Sequence, residues 1–163
     1  MRIKFLSKNF YISFLIVISI FIIDRISKIY VIFLEKKNNI SEIFLSKFLN
    51  IHLVWNEGIA FGLFNFEKSN LYNILTFFIF LIILLIIYMS YHNKGFKRYS
   101  LLMIIGGALG NIFDRIFSKA VPDFIDFHVG NFHWFIFNIA DIFITLGVIF
   151  MIMLEFINDK ENE

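Results

Sequence analysis

Long apolar runs interrupted by carboxylates set the pattern of this chain. About 20 residues let a helix cross the hydrocarbon core of a bilayer, and Leu71 to Tyr91 supplies them without one charged residue. Asn9 to Leu34 predicts another crossing if Asp24, Arg25 and Lys28 lie near one membrane surface. Tyr99 to Phe117 predicts a third, apolar until Asp114 and Arg115 near its end. Trp134 to Ile157 predicts a fourth, with Trp134 as an interfacial anchor and Glu155 at the far end. Between them lie segments of about 35–70 and 118–133. In these, Phe48 to Trp55 alternates and Phe124 to Phe135 carries aromatics broken by Gly130 and Asn131. Both predict short strands or interfacial elements packed above a helical bundle. No repeat, linker or second domain is visible, so residues 1–163 read as a single all-α integral membrane domain.

Composition agrees with lipid as the main solvent. A chain of 163 residues with 59% hydrophobic content, 24 Phe and 17% charge has more apolar surface than one small core can hide. The net charge of +2 is too small and too scattered for nucleic acid. The absence of cysteine excludes disulfides, thiolate catalysis and thiolate metal sites. Arg2, Lys4 and Lys8 precede an apolar stretch with no small-residue cleavage site after it, which reads as a retained signal anchor. Lys94, Lys97 and Arg98 crowd the short link between helices two and three, whereas the first long loop mixes lysine with Glu35, Glu42, Glu57 and Glu67. The excess of basic residues on the cytoplasmic side then places both termini inside and the long loop outside.

Five of the six aspartates fall in or beside the apolar segments. In hydrocarbon an ionisable side chain costs on the order of 3 kcal/mol or more, so such residues rarely serve packing alone. With the orientation above, Asp24, Asp114, Asp123, Asp126 and Asp141 all fall in the outer leaflet. Asp141 is placed two turns into helix four, roughly 10 Å past Trp134 at 1.5 Å per residue.

Spacing divides these acids by role. Asp24 and Lys28 at i, i+4 predict a buried structural ion pair. Asn111, Asp114 and Arg115 share a helix face, with the acid and base bracing the helix end and Arg115 alternatively holding a substrate carbonyl or phosphate. Asp123 and Asp141 have no obvious local cation. Two carboxylates in one low-dielectric pocket share a proton, one acting as general base on a water and the other as general acid. Alternatively each is satisfied separately by amides such as Asn138, and spacing alone favours neither reading. His128 and His133 near Asp126 could bind zinc. Their i, i+5 spacing fits neither a helix face nor one strand face, so they read as interfacial polar residues and no metal is expected. Asn56 to Gly62 reads as a turn or as a loop that a peptide backbone can approach closely, bonding to Asn56.

Four segments, in order, resemble the bacterial lipoprotein signal peptidases (signal peptidase II). Asp24 to Lys28 resembles the family's D-x-x-x-K, and Asn56 to Gly62 its N-x-G-x-A-F-G. Gly110 to Arg115 with Val121 to Phe124 resembles G-N-x-x-D-R followed by V-x-D-F, and Phe137 to Asp141 resembles F-N-x-A-D. One departure is Lys119, where the family often has glycine; Pro122 also precedes the aspartate. The resemblance implies four transmembrane helices with a small extracytoplasmic β-rich cradle and a nearby interfacial helix. It implies Asp123 and Asp141 as the catalytic pair, with Asn56, Gly58, Asn111, Arg115 and Asn138 around the substrate, and no cofactor. The implied reaction, at the outer leaflet of the bacterial inner membrane, is hydrolysis of the bond before the diacylglyceryl-modified cysteine of a prolipoprotein. The expected partners are that substrate and membrane lipid, the enzyme acting as a monomer. A proton-coupled transporter would also use intramembrane acids, but such proteins place their sites near the midplane and show repeat symmetry.

Overall fold

The computed structural model describes residues 8–38, 42–58, 69–130 and 132–161. In chain order these form α1 (Lys8–Asn38), β1 (Glu42–Ser46), β2 (Leu49–Asn56), α2 (Ser69–His92), α3 (Gly95–Phe117), β3 (Val121–Val129), β4 (Phe132–Phe137) and α4 (Ile139–Glu161). All four helices are long and apolar enough to cross a membrane. Lipid offers no partner to a free backbone N–H or C=O, so the Ile-, Leu- and Phe-rich runs close their hydrogen bonds within each helix.

The helices are not equivalent. In the most apolar stretch of α3, 61% of residues are buried, against 11% in each of the other three. Glycine is the physical reason. Gly106 lies against Ile20 of α1, Gly110 against the Asp24 carboxylate, and Gly107 against the Ala140 carbonyl and Ile144 of α4. From the other side, Gly147 of α4 meets Ser100 and Ile104. Without a hydrophobic drive between helices in lipid, such small residues let backbones approach and gain dispersion contact. α3 therefore forms the centre, while Phe14, Ile26, Phe78, Leu85, Ile149 and Ile152 on the other helices stay exposed for lipid.

The two inter-helix segments meet as one antiparallel sheet of order β1-β2-β3-β4. It sits where α1 and α3 end and α2 and α4 begin. Val31 of α1 packs with Leu53 and Phe124 to fasten sheet to bundle. The expected alternation in Phe48 to Trp55 breaks at a bulge between Ile51 and Val54, which puts Asn50 and Leu53, three residues apart, in the buried set. The aromatic segment folds into the β3–β4 hairpin, with Gly130 at φ +61° after the paired Val129 and before Phe132.

Helix four differs from expectation. Trp134 to Phe137 belong to β4, and α4 starts at Ile139, so Trp134 anchors no helix and Asp141 lies in the first turn. The aromatic run pairs with β3, and Asn138 provides the cap that starts the helix. α3 begins at Gly95 rather than near Tyr99, and α1 continues to Asn38. No short interfacial helix occurs among the described residues, and Ile59 to Gly62 lie outside them. Lys119 takes φ 59°, just after the helix cap Ser118. A residue with a Cβ loses on the order of 1–2 kcal/mol there, which explains physically why glycine suits the position.

Close helix approach at Gly107 is testable. Gly107→Leu is expected to destabilise the chain by about 1–3 kcal/mol or more through overpacking, read as a lower thermal midpoint in detergent. Gly95→Asn, at a positive φ in open space, should change it little. Equal effects at the two positions would refute the glycine-contact account.

Candidate active site

The site is built outward from a buried charge cluster. Lys28 Nζ lies 2.9 Å from Asp24 Oδ2 and 2.8 Å from Asp114 Oδ2, joining α1 to α3. Arg25 donates through both terminal nitrogens to Asp114 and, at 3.1 Å, to Asp24. The expected Asp24–Lys28 pair is therefore present, but within a larger group. Asp114 pairs with Arg25 and Lys28 rather than with the adjacent Arg115. Asp24, Lys28 and Asp114 are buried, and two acids against two bases leave the group neutral. The other Asp24 oxygen accepts the Ala140 N–H at 3.1 Å, so the cluster also reaches the start of α4.

A layer of amides connects this cluster to the two remaining acids. Asn111 Oδ1 accepts from Lys28 at 2.9 Å and from Asn138 Nδ2 at 3.2 Å, and its Nδ2 donates to Asp141 at 2.7 Å. Asn138 caps α4 reciprocally with Asp141. Its backbone N–H donates to Asp141 Oδ2, and its Oδ1 accepts the Asp141 N–H, each at 3.1 Å. Its Nδ2 also donates to Asp123 Oδ1 at 2.6 Å. Asp123 receives a further N–H from Asn56 at 2.9 Å. Asp123 of β3 and Asp141 of α4 thus flank one residue, Asn138, and each accepts two N–H donors. Among the described residues neither makes an ion pair.

The other predicted residues fall around this pair. Asn56 Oδ1 accepts the Gly58 N–H at 2.9 Å, turning the chain beneath the sheet. Arg115 donates to the Gly58 carbonyl at 2.8 Å and lies 5.8 Å from the Tyr72 ring centroid. It braces that loop from inside. Asn111 and Asn138 likewise have their side-chain atoms engaged by the acids and Lys28. Sequence reasoning gave Arg25 no partner, although charge balance among Asp24, Lys28 and Asp114 in apolar segments calls for a second cation. Tyr72 carried no signal of its own. His128 and His133, apart in sequence, are cross-strand partners in the hairpin.

An apolar groove of about 470 Å³ opens beside the acids, lined by Asp123, Asp141, Phe135, Phe137, Ile142 and Thr145 among others. Burial, and then repulsion from Asp141, push the Asp123 carboxyl from its ordinary 3.8 up to about 6, against the pull of the Asn56 and Asn138 donors and Lys28.

A model of the family described as signal peptidase (SPase) II matches residues 16–157. The chain belongs to the signal peptidase II family. A lipoprotein signal peptidase of Pelagibacter ubique is 49% identical over 96% of this chain and 95% of its own length. One from Anaplasma marginale is 38% identical over 85% and 81%. Two solved bacterial membrane enzymes, obtained by the in meso method, superpose with TM-scores of 0.69 and 0.65. They are 28% and 32% identical, and the matches cover 93% and 87% of this chain and 90% of each of theirs. Membership makes the chain a peptidase, and nothing in the fold favours the transporter.

The Asp123 environment in this family member has a measurable signature. A carboxyl titrating above its ordinary value stabilises the fold fully below 3.8, and that contribution is lost as pH rises through about 6. Asp123→Asn cannot titrate. Its thermal midpoint relative to the parent should therefore rise between about pH 4 and about pH 7. A difference independent of pH would show that Asp123 is not held in this way.

Proposed function

We propose that this signal peptidase II is an aspartic endopeptidase that removes signal peptides from prolipoproteins, cutting before the diacylglyceryl-modified cysteine. The observation that carries the reading is the single residue Asn138 bonded to both Asp123 and Asp141 at the mouth of an apolar groove. Two acids in that setting share one proton. The deprotonated carboxyl takes a proton from water as it adds to the scissile carbonyl, while the protonated one donates to the carbonyl oxygen. When the C–N bond breaks, one carboxyl gives its proton to the leaving amine while the other takes one from a hydroxyl of the diol intermediate, and the pair is restored. Two carboxyl groups and a water suffice for the step, so no cofactor enters it.

Asn111 and Asn138 act on the acids, holding them in register, while Asn56 and Gly58 form the edge that the substrate backbone meets and Arg115 steadies that edge. One chain supplies every one of these residues, in keeping with a monomer. The acids and the sheet lie at one end of the bundle, and Lys94, Lys97 and Arg98 at the other. We take the basic end, with both termini, as cytoplasmic and the acids as facing the outer leaflet of the inner membrane.

Asp123→Asn and Asp141→Asn should each lower prolipoprotein turnover by several orders of magnitude, and the double variant by little more, because the pair works as a unit. The measurement is single-turnover cleavage by purified protein that retains its parent's chromatographic profile. Near-parental turnover in either variant would remove that residue from the chemistry.

The lipid on the substrate should matter as much as the peptide. At roughly 0.8 kcal/mol per buried methylene, two acyl chains outweigh a few backbone hydrogen bonds. Part of that energy can position the scissile bond over the acids. Matched substrates with and without the diacylglyceryl group, compared in the same nanodisc, should differ greatly in kcat/KM. Equal values would refute lipid recognition.

A further inference from the structure

The β3–β4 hairpin carries a second polar cluster, separate from the acid pair. From Phe124 onward β3 alternates, so Phe124, Asp126 and His128 point to one face and Asp123, Ile125 and Phe127 to the other. A bulge after Phe127 shifts the hairpin register and places His133 opposite His128. The two rings stack with centroids 5.2 Å apart. His133 Nδ1 lies 2.7 Å from Asp126 Oδ2, and His128 Nδ1 lies 3.8 Å from the same oxygen. One ligand atom from each of the three residues falls within 4.8 Å of the others.

This cluster is incompletely satisfied. Asp126 is fully buried and His128 is 7% exposed, yet among the described residues Asp126 Oδ1 and His128 Nδ1 have no hydrogen-bond partner. Asn50 stands opposite Asp126 on β2, and its Oδ1 is also buried with no partner among the described residues. Leaving one such group unpaired in the interior is costly, and orphans on neighbouring residues compound that cost. Two of the three atoms are oxygens that can only accept, and a neutral imidazole keeps one lone pair, so a cation answers them better than another acceptor would. The His133 side chain is 51% exposed and leaves an approach from outside.

We propose that Asp126, His128 and His133 form a binding site for a divalent transition-metal ion, for which zinc fits the donors best. Two imidazoles and one carboxylate are a set that zinc accepts, with an open position left for water. Magnesium and calcium, which prefer all-oxygen shells, are poorly matched. The ion would tie β3 to β4 behind the strand that holds Asp123, so its role is to clasp the sheet and not to enter the peptidase chemistry.

The test titrates zinc into the full chain, stripped by chelator and held in detergent, by calorimetry, with cobalt absorption reporting imidazole ligation. One ion per chain is expected, with a rise in thermal midpoint. His128→Gln and His133→Gln should each weaken binding by about tenfold or more. His133, being half exposed, gives a variant that keeps the fold. Asp141→Asn should bind zinc like the parent, so loss of peptidase activity and loss of metal binding are separable. Absence of a zinc-dependent heat and midpoint shift in the parent would overturn the site. So would parental affinity in the His128→Gln/His133→Gln double variant, or cobalt spectra without imidazole ligation.

Discussion

The bonding of Lys28 and Arg25 to Asp24 and Asp114 is the constraint on which the rest of the molecule depends. Any of these charges alone in a low-dielectric interior would cost several kcal/mol, and losing one partner from such a group typically costs on the order of 3–5 kcal/mol. Together they are neutral, with short contacts between α1 and α3. Asp24 extends the group to the Ala140 N–H, where α4 begins. The cluster therefore aligns three helices in depth as well as in direction. Gly106, Gly107 and Gly110 make that alignment possible, because a side chain at any of them would push α1 or α4 away from α3.

The same cluster explains why one pair of acids behaves differently. Lys28 and Arg25 are committed to Asp24 and Asp114, and the buried Arg115 to the Gly58 carbonyl, so Asp123 and Asp141 are met by amide donors. Amides stabilise a carboxylate less than a cation does and leave its protonation responsive to a neighbour. Asn138 holds this balance. As the cap of α4 it fixes Asp141 by helix geometry, and through its side chain it fixes Asp123 across the interface with β3. A charge-compensated layer thus lies directly beside one whose acids are held by amides.

The sheet supplies what helices in lipid cannot. Its strands carry Asn56 and Asp123 to the same end of the bundle as Asp141, and its bulges turn individual side chains against the expected alternation. Polar residues on its opposite face, Asp126, His128 and His133 with Asn50 alongside, gather into a cluster of their own.

Much of this was legible in the chain itself. Apolar runs of membrane-spanning length follow from hydrocarbon thickness and backbone satisfaction, and they fixed the number of helices. The Asp24–Lys28 spacing foretold its ion pair, and the four motifs pointed to Asp123 and Asp141. Other features depend on residues distant in sequence and could be decided only by tertiary structure. Asp114 chose Arg25 and Lys28 over its neighbour Arg115 because helix packing brought α1 against α3. Trp134 became strand because β3 lay ready to pair with it, and hairpin register made partners of two histidines whose spacing argued against contact. Local periodicity specifies which face of an element is apolar. It cannot specify which polar groups from other elements will meet there, since that choice belongs to packing and to the high cost of leaving a buried charge alone.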